Sequence, residues 1–355
     1  MARRNNFDFL RLFAALLVIY GHAYPLLGMP GVGFAANAVQ TIGVKIFFSI
    51  SGYLVALSWF SDPNAWRFFL RRSTRIFPAL IAIILLTALI AGPFLTSVTL
   101  REYFLNARFR QYILNIALYI SYDLPGVFTK NIYPIAVNGS LWTLPAEILM
   151  YIFFPIIAAI GSLIYKPRLF IGISTIFFCS MSLYLEKRFP DGRYVIYASN
   201  IFSFLDVCPY FLVGSCFAVY DLKRFLNIYV ALIAVLILGM FETTALIKEV
   251  MLLLMLPYIS IAFGSGESPL SSISRFGDLS YGIYLYGFPV QQAVVNFIGS
   301  RGGSWLNFVI SSMVAAVFAF ASWHMIEKNA LKLKPRARAH RLAIVSGGNV
   351  SAEAI

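Results

Sequence analysis

NNFDFLRLFAALLVIYGHAYP, residues 5–25, decides how the chain is read. The run is long and apolar enough to cross a bilayer as a helix, yet it carries Asp8, Arg11 and His22, which hydrocarbon does not accept without a partner or a purpose. His22 follows Arg11 by about three helical turns, so the two project from nearly one face. The helical rise separates them by about 16 Å, roughly half the hydrocarbon thickness. An arginine and an imidazole on one stripe at two depths suggest the wall of a passage. Asp8 and Arg11 also admit a plainer reading, an i,i+3 ion pair at the helix end with Arg11 reaching back to the interface. A cleaved signal peptide competes, because Arg3 and Arg4 precede the run and Ala36-Asn37-Ala38 loosely resembles a cleavage site. The charges inside the run and the lateness of that site favour a retained helix.

Composition generalises the first helix to the whole chain. Of 355 residues, 60% are hydrophobic and 12% charged, about half the charged share of a soluble domain, so a polytopic membrane protein is expected. The net charge of +13 would suggest nucleic acid in a soluble protein. Here the basic residues sit in short loops between apolar runs, which is topology and not a nucleic-acid surface. Cys179, Cys208 and Cys216 show no metal spacing and read as packing residues; no metal is expected.

Apolar runs near 7–27, 41–60, 76–96, 145–165, 169–185, 201–220, 227–244, 247–264, 278–298 and 304–326 predict about ten transmembrane helices in an all-α fold. A shorter piece, 111–122, reads as re-entrant or interfacial. With the N-terminus in the cytoplasm, 18 of the 28 basic residues fall inside, nine fall outside, and Lys45 lies within the second span. That bias supports both termini being cytoplasmic. The transmembrane domain covers 1–330, and 331–355 is a basic cytoplasmic tail expected to be disordered beyond about His340.

Three constellations can carry chemistry. The first is Asp8, Arg11 and His22, whose imidazole, with an unperturbed pKa near 6.5, suits it to take a proton from a hydroxyl. The second is SLWTLPAEILMY, residues 140–151. Pro145 and Thr143 mark a helix start, and Glu147 in the first turn is explained either by the macrodipole or as a partner to His22 at the same outer depth. The third is RFFLRRSTRIFP, residues 67–78, where Arg71, Arg72 and Arg75 can meet anionic headgroups or grip a phosphate-bearing ligand with Arg11 at their level. Weaker features are Lys45, expected to snorkel, and the Ser51-Gly52 pair, suited to close helix packing. A tyrosine-rich belt occupies 278–292, and His324 and Glu327 are expected to pair.

Taken in order, these stretches resemble the acyltransferase-3 family of bacterial membrane-bound sugar O-acyltransferases. The points of resemblance are Arg11 followed after ten intervening residues by His22, GVKIFFSISGYL at 43–54, Arg71-Arg72 with Arg75-Ile76 and Pro78, and SLWTLPAE at 140–147. SYGIYLYGFPV at 280–290 and Ile326-Glu327-Lys328 complete the pattern. The segment at 140–147 has one Glu where many relatives carry two.

The resemblance implies a stand-alone form without a fused hydrolase-like domain, in the bacterial cytoplasmic (inner) membrane. It implies transfer of an acyl group, most often acetyl, from cytoplasmic acyl-CoA to a hydroxyl of a surface polysaccharide or lipid-linked saccharide. On that reading His22 is a general base or an acyl relay supported by Glu147, and Arg11, Arg71, Arg72 and Arg75 hold the CoA phosphates. The alternative is a transporter or flippase for a glycan or lipid intermediate, which predicts repeated halves and interrupted helices.

Overall fold

The computed structural model describes residues 5–189 and 192–335. Among them ten long helices follow the predicted apolar runs. They are α1 (Phe7–Ala23), α2 (Val39–Ser61), α3 (Ala65–Leu86, continuing through a π turn to Leu95), α4 (Thr143–Leu163) and α5 (Pro167–Arg188). The second half holds α6 (Ile201–Val219), α7 (Ile228–Met240), α8 (Ala245–Ser265), α9 (Leu279–Ile298) and α10 (Gly303–Ser322). Eight of these segments are long and apolar enough to cross a membrane. The other two are α7, whose 13 residues rise only about 20 Å, and α9, whose tyrosines and glutamines lower its hydropathy. The chain is an all-α, multi-pass membrane protein. Among the described residues strand is confined to two small hairpins, Gly33–Phe34 with Asn37–Ala38 and Val195–Ile196 with Ser199–Asn200.

Asn6 at the start of α1 bonds to the Gly264 carbonyl at the end of α8 and to Ser268. Arg75 early in α3 meets Asp278 at the start of α9, and the turn after α10 packs on α3. The described ends of the chain therefore share one face, called here the near face. The tail residues from 336 onward, with Arg336, Arg338 and Arg341, and Arg3 and Arg4 at the other end, lie outside the described residues.

The helices are locked by close backbone approach and by polar ties. A Cβ on Gly52 would stand 1.8 Å from the Phe211 carbonyl oxygen, and one on Gly214 would stand 2.2 Å from the Ser49 carbonyl oxygen. Two glycines thus let α2 and α6 cross with their backbones touching, the small-residue packing expected at Ser51-Gly52. Gln291 donates to the Ile19 carbonyl and to Asn307, tying α1, α9 and α10.

Lys45 departs from expectation. It does not snorkel but is fully buried, 2.9 Å from both Asp206 Oδ1 and Glu249 Oε1 and 2.6 Å from Asn37 Oδ1. Two carboxylates from α6 and α8 make the interior the lower-energy place for this ammonium. His324 and Glu327 do not pair either. His324 Nδ1 lies 2.9 Å from the Phe320 carbonyl one turn back, and Glu327 accepts from Ser322.

Residues 97–142 form a cap on the far face. A short helix, Ala107–Ile113, runs into a 3-10 turn that Leu118 ends in the left-handed region, so 111–122 does not span. The cap is tied onto α9. Gln292 donates to the carbonyls of Tyr133 and Ala136, and Asn138 Nδ2 donates to the Leu285 carbonyl. Asn138 is completely buried and also caps Ser140, so α4 starts below the far surface, beneath the cap. That starting depth positions the site.

Candidate active site

Two cavities lie on either side of the first turns of α4. The nearer, of about 80 Å³, is lined by Arg11 of α1, Ser51 of α2, Arg72 and Arg75 of α3, Thr143, Glu147 and Tyr151 of α4, and Tyr281 and Tyr284 of α9. The other, of about 900 Å³, is lined by His22 of α1, Gln40 of α2, Trp142, Pro145 and Leu149 of α4, Phe288 of α9, and Tyr122, Tyr133, Arg193 and Tyr197 of the far-face segments. Helical periodicity makes this partition. Thr143, Leu144, Glu147 and Tyr151 turn to one cavity, while Trp142, Pro145, Ala146 and Leu149 turn to the other.

α1 and α3 bring the arginines of the smaller cavity together. Asn64 caps α3 by accepting from the Arg67 backbone amide, so helix begins eleven residues before the apolar run and the basic residues take up helical spacing. At 31 residues the Ala65–Leu95 segment rises about 46 Å, longer than the hydrocarbon core, which leaves room for its basic first turns. Arg75 bonds to Asp278, Arg11 lies 4.0 Å from the same carboxylate and 3.2 Å from Asp8, and Ser280 holds the other Asp278 oxygen at 2.6 Å.

Arg72 is held differently. Its guanidinium lies over the rings of Phe68 at 5.5 Å and Tyr151 at 5.4 Å, and its Nε has no hydrogen-bond partner. Two aromatic faces fix such a cation while leaving its donors free for an anion. Tyr151 is fixed in turn by donating to Glu147, with Ser51 Oγ 3.2 Å from its hydroxyl.

Arg71 lies outside this cavity. Only 6% exposed, it donates to Asp62 Oδ2 at 2.8 Å, and Arg67 grips the same carboxylate through Nε and Nη2. These two arginines, Arg67 first, hold the Asp62 carboxyl at about 2, against the burial that would raise it.

His22 lies in the larger cavity, its ring edge-on to Phe288 with centroids 5.2 Å apart. Its Nδ1 is buried and has no hydrogen-bond partner. A neutral imidazole lining a cavity can offer an acceptor nitrogen to a bound hydroxyl. Residues of α4 and α9 line both cavities. Tyr284 donates to the Ser140 carbonyl at 2.8 Å and accepts from Thr143 at 2.6 Å, while Phe288 fills the space beside Gly139, where a Cβ would stand 2.7 Å from its ring.

The structure therefore brings Arg11, Arg72 and Arg75 together and places Glu147 with them. It does not place Glu147 beside His22. The expected common depth assumed that α4 starts at the far surface, whereas it starts beneath the cap. Asp278, Asp62 and Tyr151 were not among the sequence candidates. The signal for Asp278 was an acidic residue opening a span at the level of Arg11; nothing in the sequence distinguishes Tyr151 from the other nineteen tyrosines.

Comparison with known proteins agrees with this architecture. Residues 4–324 match the family model described as an acyltransferase domain, so the chain belongs to the acyltransferase-3 family and is an O-acyltransferase. It is 32% identical over 338 residues to a protein named O-acetyl transferase from Shigella phage Sf6, covering 93% of this chain and 97% of that one. It is 28% identical over 380 residues to Nodulation protein 10 of Rhizobium leguminosarum bv. viciae, covering 96% and 97%. No solved structure matches. Family membership sets the transporter alternative aside.

Proposed function

We propose that the chain moves a short acyl group, in the first instance acetyl, from acyl-CoA to a hydroxyl of a surface polysaccharide or lipid-linked saccharide, across the inner membrane of a bacterium. The observation that carries the reading is the division of Arg11 and His22, on one helix, between two cavities sharing the first turns of α4. The near face, which gathers most of the basic residues, is the cytoplasmic one by the charge rule. The donor enters there, its phosphates meeting the arginine side and its thioester pointing toward His22. The pantetheine arm spans on the order of 15–20 Å by the advance of an extended amide chain. That matches the roughly 16 Å of helical rise between Arg11 and His22.

The acceptor sits in the larger cavity, whose tyrosines and Trp142 offer flat faces to sugar rings. The His22 imidazole takes the hydroxyl proton, and the oxygen attacks the thioester carbonyl. The C–S bond then breaks, and the CoA thiolate leaves and takes up the proton from the imidazolium. Arg11, Arg72 and Arg75 bind the donor. Glu147, through Tyr151, orients Arg72 and is a positioning residue. The name of the Shigella phage relative supports acetyl as the group carried.

The test is transfer of label from acetyl-CoA to acceptor-bearing membranes by the purified chain in liposomes with no ion gradient. Transfer is expected, with His22→Ala inserted normally but inactive. Full activity in that variant, or label that moves only under a gradient, would sink the assignment.

A further inference from the structure

The larger cavity is one-sided in charge. Among the described residues that line it, Arg193 is the one formally charged side chain besides the titratable His22, and no carboxylate is present. A carboxylate accepts hydrogen bonds from sugar hydroxyls through two oxygens, so a site for a wholly neutral saccharide gains from one. This cavity offers a guanidinium instead, whose fork of donors matches the oxygens of a phosphate or a carboxylate. At about 900 Å³ the cavity stands near the top of the roughly 300–1,000 Å³ of small-ligand pockets, with room for a sugar and a charged substituent together.

The chain holds this residue in place from both sides. Arg193 lies between α5 and α6, just before the hairpin of Val195–Ile196 and Ser199–Asn200. Asn200 spans it: Nδ2 reaches the Gly192 carbonyl at 3.5 Å, and Oδ1 accepts from the Tyr194 amide at 3.3 Å. The same oxygen caps α6 by accepting from the Phe202 amide at 3.1 Å, which anchors the arrangement to a membrane helix. Tyr197, in the turn of the hairpin, donates to the Ala117 carbonyl at 3.0 Å and sets its ring edge-on to Tyr119 of the cap. The backbone around Arg193 is thus tied to α6 and to the cap. Its side chain is exposed and makes no ion pair or hydrogen bond among the described residues.

Resting on the reading of the larger cavity as the acceptor site, we propose that Arg193 is an anion subsite of that cavity and that the acceptor is an acidic saccharide, with a phosphate or a carboxylate close to the hydroxyl that is acylated. His22 and Arg193 then divide the acceptor between them. The imidazole receives the reacting hydroxyl, and the guanidinium selects which saccharide is seated. Arg193 takes no part in bond making or breaking; it sets acceptor affinity and specificity. The donor's phosphates stay with Arg11, Arg72 and Arg75 of the other cavity, so each substrate's anion has its own cations.

The experiment measures initial rates of transfer from labelled acetyl-CoA by the purified full chain, its Arg193→Gln variant and its Arg193→Lys variant, each reconstituted with graded amounts of saccharide and lipid-linked saccharide extracted from the source bacterium's envelope. Arg193→Gln should raise the half-saturating amount of acceptor about tenfold, the size of one charge-assisted contact, with kcat and the KM for acetyl-CoA held within about twofold. Arg193→Lys keeps the charge and should recover most of the affinity. A second arm amidates the carboxylates of the extract with carbodiimide and glycinamide before the assay. If the anion is a carboxylate, the unaltered chain then binds the extract as weakly as Arg193→Gln does; if it is a phosphate, the tenfold difference between the two persists. Unchanged half-saturation in Arg193→Gln, or a loss that Arg193→Lys does not restore, would overturn the subsite while transfer by the unaltered chain leaves the acyltransfer reading standing. Absence of transfer by the unaltered chain would overturn that reading and this inference with it.

Discussion

His22→Gln and Arg72→Gln should fail in different ways, and the difference follows from the two cavities. Gln at position 22 keeps a polar side chain of similar reach beside Phe288 but cannot hold a proton. The loss should be that of a general base, roughly 10²–10⁴ in kcat. The KM for acyl-CoA should stay within about twofold, because His22 lies across the α4 wall from the arginines, in a separate cavity.

Arg72→Gln removes a guanidinium held by two rings with a donor still free. A lost hydrogen bond to a charged group is worth about 1.5–3 kcal/mol, so KM for acyl-CoA should rise roughly 10- to 100-fold with kcat little changed. The assay is initial-rate transfer of labelled acetyl into acceptor-bearing membranes over a range of acetyl-CoA concentrations. If both variants raise KM alike, or if His22→Gln keeps kcat and loses donor affinity, the separation of donor and acceptor sites is refuted.

Other consequences are open to direct measurement. Tyr151→Phe keeps the ring under Arg72 but removes the hydroxyl bonded to Glu147, so it should raise KM for acyl-CoA several-fold, less than Arg72→Gln; an effect confined to kcat would contradict a positioning role. Gly52→Ala would drive a Cβ into the Phe211 carbonyl, and the detergent-solubilised variant should lose most of its folded yield by gel filtration, whereas Gly31→Ala, which meets nothing within 4 Å, should not. Lys45→Met leaves Asp206 and Glu249 facing each other without their cation and should lower stability by about 3–5 kcal/mol, read as a fall in Tm. Asp62 is held below its ordinary value, at about 2, so its stabilisation is present above the unfolded carboxylate pKa and is lost as pH falls from about 4 to about 2. The unaltered chain should therefore lose about 2 kcal/mol more than Asp62→Asn across that window, and parallel acid curves would count against the network.

The sequence by itself determined the class of fold and the ingredients of the site. Long apolar runs separated by basic loops leave little choice but a helical bundle in a membrane, and the helical period put Arg11 and His22 on one stripe without any knowledge of neighbours. The Ser51-Gly52 pair announced a close crossing, and α2 and α6 supply it.

Tertiary structure decided the partners and the depths. Glu147 counted from a helix start belongs beside His22, yet buried Asn138 and the cap of residues 97–142 sink that start, and the carboxylate arrives among arginines. Lys45, judged on its own span, belongs at the surface, yet Asp206 and Glu249 come from helices more than 150 residues away. Arg71, one residue from Arg72, turns to Asp62 and leaves the cavity. Periodicity fixes which way a side chain points along its own helix, but what it meets there depends on how deep each helix is set and which others pack against it.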